Sequence, residues 1–127
     1  MVNIISWDEK YAINVPRIDE QHQILFNYLN EYYDSLANGK SMSIIDSTLK
    51  KLIDYANYHF KDEEDFMTLL PDYDFHSHKN QHNYFIVKVK EMINMKKEEI
   101  NFELFNFMKE WILNHVLITD KKMGQYK

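Results

Sequence analysis

Four stretches of the chain repeat apolar residues at steps of three and four, the spacing that lines one face of an α-helix. Ile18, His22, Leu25, Leu29, Tyr32 or Tyr33, and Leu36 form the first stripe. Ile45, Leu49, Leu52, Ala56, His59, Glu63, Phe66 or Met67, and Leu70 form the second. The third runs Phe75, His78, His82, Phe85, Val89, and Met92 or Ile93, and the fourth Leu104, Met108, Trp111, His115 and Ile118. Between the stripes lie residues that start or stop helices. Asn38-Gly39 closes the first, glycine taking a left-handed cap at little cost. Ser41 or Ser43 can cap the second with a hydroxyl, Asp46 answering from the first turn, and Pro71 forbids much continuation. Asp72-Tyr73-Asp74 offers capping carboxylates to the third. The charged run from Lys96 to Glu99 forms the connection to the fourth. The pattern predicts helices over about 18–38, 42–70, 74–96 and 101–118. Residues 1–17 hold no sustained period and contain Pro16, which predicts an extended arm across the bundle with Trp7 as its anchor. The tail after Ile118 contains Gly124 and suggests no task.

With 127 residues there is material for one core, so 1–127 is expected to be a single domain. Two glycines and two prolines leave few turns, which favours a few long elements. The expected fold is all-α: an antiparallel up-down-up-down four-helix bundle with an extended N-terminal arm. The absence of cysteine excludes disulfides, zinc-thiolate sites and thiol catalysis, so redox chemistry would need a metal. A net charge of -5 argues against a nucleic-acid partner, the basic residues forming only short pairs such as Lys96-Lys97 and Lys121-Lys122. No apolar run approaches bilayer length, and the start lacks the pattern of a signal peptide. A cytoplasmic protein without a membrane partner is expected. Nothing marks an interface, so a monomer is expected, with an oligomer left open.

The stripes carry more than packing. Five of the six histidines, with one glutamate and one aspartate, occupy inward positions: His22, His59, Glu63, His78, His82, His115 and Asp120. A neutral core has no other use for so many imidazoles, and burying them unpaired would cost several kcal/mol each. They read as metal ligands, and seven suit two metals better than one. His59 and Glu63, like His78 and His82, are four apart and share a face at neighbouring turns. His22 lies 17 positions before Gly39 and His59 lies 20 after it; His82 lies 15 before Lys97 and His115 lies 18 after it. At about 1.5 Å per residue the four stripes bring their ligands to a common level within roughly two turns. His115 and Asp120 are five apart, about 140° around an ideal helix, which predicts irregular backbone near Leu117 to Thr119. His76, about 200° from His78, should face water and is left out of the set.

Four segments resemble the hemerythrin family, specifically its single-domain bacterial members: Ile18-Asp19-Glu20-Gln21-His22; Tyr58-His59-Phe60-Lys61-Asp62-Glu63-Glu64; His78-Lys79-Asn80-Gln81-His82; and Trp111-Ile112-Leu113-Asn114-His115 with Asp120. The resemblance implies a non-haem centre of two Fe ions that binds dioxygen reversibly. It makes His78, His82 and His115 ligands of one iron and His22 and His59 ligands of the other. Glu63, Asp120 and an oxo or hydroxo group would bridge them. Octahedral iron wants six ligands, so the second iron is left with five and would take dioxygen, held as hydroperoxide. Helical phase alone lines that pocket with Ile18, Leu25, Ala56, Phe60, Trp111 and Ile118. Tyr55, one turn before His59, could face the open iron, although core packing is its simpler role. The expected function is therefore oxygen carriage, storage or delivery rather than catalysis, weak oxidase or peroxidase activity being left open. The alternatives are a di-iron redox enzyme or a sensor of oxygen, nitric oxide or redox state. Against the enzyme, oxygen-activating ferritin-like bundles use Glu-x-x-His twice, and this chain has none. A sensor would have to act through a separate protein.

Overall fold

A computed structural model describes residues 4–93 and 97–126, with backbone alone for 97–101. Four long helices form: α1 (Pro16–Ala37), α2 (Met42–Met67), α3 (Phe75–Ile93) and α4 (Lys97–Asn114). The last continues without a break through a π-helical segment, His115–Asp120, into a short α5, Lys121–Gly124. Each long helix has two neighbours, α1 touching α2 and α4, and α3 touching the same pair. That is the adjacency of an up-down-up-down bundle, and no strand occurs among the described residues. Short links allow nothing else for neighbours of this length.

The helix ends follow local chemistry. Gly39 has φ 59°, and the amides of Gly39 and Lys40 bond the carbonyls of Leu36 and Ser35, the paired bonds of a Schellman cap. Ser41 caps α2 by accepting from the Ile44 amide at 3.3 Å, and Asp74 does so for α3 from Ser77 at 3.0 Å. Asp46 lies beyond the first turn of α2 and plays no part in that cap. Two expected bounds shift because capping differs from the pattern. Pro16, having no amide to lose, opens α1 two residues early, and α2 closes at Met67 although Leu70 stays buried. The charged run expected as a connection is instead the first turn of α4 from Lys97 onward; Lys96 lies outside the described residues.

The arm is anchored as well as extended. It coils into one 3₁₀ turn at Glu9–Tyr11, and Trp7 packs its ring on Tyr11 and Phe26 at 5.8 and 5.7 Å. The Asn30 side-chain amide both accepts from the Ile5 amide (3.0 Å) and donates to its carbonyl (2.8 Å), pairing with the arm as a second strand would. The tail has a task after all: Met123 and Gly124 are buried, and a Cβ at 124 would collide with the Ile13 carbonyl oxygen. Only glycine allows the last turn to lie against the arm.

The core divides into two apolar clusters. The larger holds Leu25, Leu29, Tyr32, Leu52, Ala56, Phe60, Phe85, Val89, Met108 and Ile112 among others; the smaller holds Ile13, Val15, Ile18, Met67, Leu70 and Met123. Along α1, α2 and the α4–α5 rod, the polar inward residues fall between members of the two. The bundle therefore carries a polar layer sealed by apolar packing above and below, each fully buried large side chain contributing about 1.5–3 kcal/mol.

Candidate metal centre

All seven inward polar residues come together. His22, Glu63 and Asp120 are 0% exposed, His59, His78 and His82 1%, and His115 5%. They form two groups that share their carboxylates: His78, His82, His115, Glu63 and Asp120 in one, His22, His59, Glu63 and Asp120 in the other. Within each group the donor atoms lie within 4.8 Å of one another. Every imidazole presents Nε2 to this centre. Glu63 Oε1 faces His78 and His82 at 2.7 and 3.0 Å, while its Oε2 faces His59 at 3.2 Å and His22 at 3.6 Å. Asp120 divides likewise, Oδ1 lying 3.0 Å from His78 and 3.1 Å from His115, and Oδ2 3.0 Å from His22. One oxygen of each carboxylate thus serves each group.

The backbone explains why Asp120 can join. In the wider π turn, five residues sweep about the arc that four sweep in an α-helix, so His115 and Asp120 share a face. The same turn carries Ile118 outward to 67% exposure, so it neither continues the stripe nor lines the site. Of the other expected lining residues, Ile18, Leu25, Ala56 and Phe60 are buried. Trp111 is half-buried, stacks on His115 at 4.4 Å and yields the deepest place in α4 to Met108 and Ile112. Tyr55 belongs to a surface stack with Tyr28 (5.4 Å) and Tyr58 (5.6 Å), and burial pushes its phenol up to about 12. His76 is exposed.

Sequence reasoning did not find the residues that hold the far side of the rings. Nδ1 of His59 donates to Gln21 Oε1 (2.7 Å), that of His82 to Glu64 Oε2 (2.8 Å), and that of His115 to Gln81 Oε1 (2.9 Å). Tyr73 Oη lies 2.7 Å from Nδ1 of His78. Gln21 is itself fixed by Asp62 at 2.7 Å, which pairs with Arg17, and Gln81 by the Thr119 hydroxyl at 2.8 Å. A carbonyl oxygen only accepts, so these partners keep the proton on Nδ1 and leave Nε2 as a lone pair. The signal was present: Gln21, Glu64 and Gln81 each adjoin a ligand in sequence. Being about 100° around the helix from that neighbour, each reaches a ring on a different helix.

The site's own atoms test whether metal fits. His22 Nε2, Glu63 Oε2 and both Asp120 carboxylate oxygens are fully buried and make no hydrogen bond among the described residues. Three imidazole nitrogens converge, His115 Nε2 lying 3.0 Å from that of His78 and 3.1 Å from that of His82. Lone pairs so placed repel unless a cation or proton lies between, and donors about 2.1 Å from an octahedral ion are about 3.0 Å apart. Without metal, protons take that role. Burial opposes charge on His22 and His78, but the facing carboxylates of Asp120 and Glu63 prevail and raise both to about 9. Burial likewise resists ionisation of Glu63 and Asp120, yet the surrounding imidazoles hold both carboxyls well below their usual range. Once those protons leave, each group offers a cation-sized position lined by imidazole nitrogens and shared carboxylates.

A helical bundle with this interior defines a class, the dinuclear non-haem metal proteins with imidazole-rich, carboxylate-bridged sites. Residues 14–126 match the family model described as the hemerythrin HHE cation binding domain. A bacteriohemerythrin of Methylococcus capsulatus is 30% identical over 125 residues, covering 95% of each chain. A myohemerythrin of Theromyzon tessulatum is 33% identical over 117 residues, 92% of this chain and 88% of the other. The crystal structure of wild-type hemerythrin superposes with a TM-score of 0.85 at 30% identity, covering 97% of each chain. The chain belongs to the hemerythrin family. Its cofactor is the family's pair of iron ions, which the buried cluster fits.

Proposed function

We propose that the chain binds dioxygen reversibly, as a carrier, store or source, with His78, His82 and His115 holding one iron and His22 and His59 the other across Glu63 and Asp120. The observation that carries this reading is the three-against-two division of imidazoles about shared carboxylates. Were octahedral ions held there, three imidazoles and two carboxylates would leave fewer open positions on one side than two imidazoles and the same carboxylates on the other. When bound, the irons supply two reducing equivalents and one open coordination position. The remaining work belongs to the chain. Gln21 keeps the proton of His59 on Nδ1, so its Nε2 stays a ligand rather than an acid. Ile18 and Leu25, one turn either side of His22, and Ala56, one turn before His59, are buried to 1% or less, so apolar packing on those helix faces favours a dry site. Tyr55, engaged with Tyr28 and Tyr58, is placed for packing rather than proton donation. These features favour holding dioxygen over consuming it.

Two measurements test this. The protein should hold two irons per chain, and the reduced form should gain a visible absorption band in air and lose it under argon over repeated cycles. Bleaching with steady consumption of an added reductant would support a redox enzyme instead. A spectrum that follows oxygen only alongside a change in partner binding would support a sensor.

A further inference from the structure

The five inward imidazoles differ in what holds their outer nitrogen. His59 and His115 meet neutral amide oxygens, His78 a phenol, and His22 Nδ1 no partner among the described residues. His82 alone meets a carboxylate, Glu64 Oε2 at 2.8 Å. We infer that Glu64 is a positioning residue for one metal of the pair: by accepting the Nδ1 hydrogen bond of His82 it makes that ring the strongest nitrogen donor of the five.

This rests on reading His82 as a ligand and goes on to say why the two metals would be unequal beyond their ligand count. A carboxylate partner draws the Nδ1 proton toward itself and pushes electron density onto Nε2 more than a neutral amide does. The ring has little freedom to escape that alignment. Phe60 stacks on its face at 4.2 Å and 13°, while Glu64 holds its edge. Glu64 is not sealed in with the site. Its side chain is 20% exposed and borders a groove of about 300 Å³, shared with Lys61 and Asn83, where water can solvate its other oxygen. Two bridging carboxylates cannot neutralise two divalent ions, so the pair stays positive and a third carboxylate beside one of them is favourable. It falls on the three-imidazole side, opposite the open position. That side is thereby biased toward tighter binding and higher charge, and the His22/His59 side toward the weaker hold.

Cobalt(II), titrated against a competing chelator, tests the inference without dioxygen. In the wild type, two cobalt ions should bind with unequal affinity, and proton NMR should show a slowly exchanging, hyperfine-shifted Nδ1 proton for His82. Glu64→Gln should still bind two ions, with one affinity lowered about tenfold or more, the other unchanged, and the His82 resonance moved. Glu64→Asp should recover part of both effects. Two unchanged affinities with an unmoved resonance would overturn the inference, as would an equal loss at both ions, which would mark Glu64 as merely structural. Fewer than two cobalt ions in the wild type would instead overturn the dinuclear reading on which the inference stands.

Discussion

His22 is the most exacting position in the molecule, because it is fully buried, its Nε2 meets both carboxylates, and its Nδ1 has no partner among the described residues. Leucine can fill much of the same volume against Ile18 and Leu25, so His22→Leu should keep the helical fold while iron drops toward one per chain and the oxygen-dependent band disappears. Metal analysis and circular dichroism check both halves. His76→Ala, at an exposed site, should change neither; iron loss there would contradict its placement. Protons offer a second test. A group raised to about 9 is protonated at pH 7, and His22 and His78 must surrender those protons before Nε2 can bind metal. Loading the metal-free protein at pH 7 should therefore release protons, and apparent iron affinity should rise with pH until about 9 and then level. Uptake without proton release, followed with an indicator dye, would show those imidazoles already neutral.

The π segment is the element on which the site turns. At a spacing of five, a regular α-helix would aim Asp120 about 140° from His115, whereas a spacing of four leaves about 40° between them. Deleting exposed Ile118 should thus be tolerated: the segment reverts to α-helix, both donors remain on one face, and two irons still bind. An alanine inserted after Ile118 should turn Asp120 a further 100° or so and reduce iron to one per chain. If the insertion bound iron as well as the deletion did, phase would not be what the segment provides. The need for irregularity between His115 and Asp120 was legible in the spacing. Its form was not, so Ile118 was wrongly placed inside by continuing a 3.6-residue period that the backbone abandons at His115. The start of α4 was missed for a related reason. Lys97, Glu98 and Glu99 look like a solvated loop by charge alone, but charge is equally at home in the first turn of a helix.

Across the whole bundle, stability depends on the N-terminal arm meeting the C-terminal turn. Gly124 lies against the Ile13 carbonyl, and Asn30 pairs with Ile5, so the arm is held by the tail at one point and by α1 at another. Gly124→Val should cost about 1–3 kcal/mol by forcing α5 off the arm, seen as a lower melting temperature; an unchanged value would mean that the two are not in contact. By itself the order of residues settled that there are four helices, most of the face each one buries, and which seven polar side chains are buried together, because helical period and the cost of burying imidazole are local matters readable from spacing. Tertiary structure decided what spacing cannot express: which oxygen of Glu63 and Asp120 faces which histidines, and which neighbour's Gln, Glu or Tyr steadies each ring. The contacts that steady the rings of His59, His82 and His115 join residues 18 to 38 positions apart on adjacent helices, that of His78 reaches Tyr73 five positions away, and their identity depends on how the helices are rotated against one another.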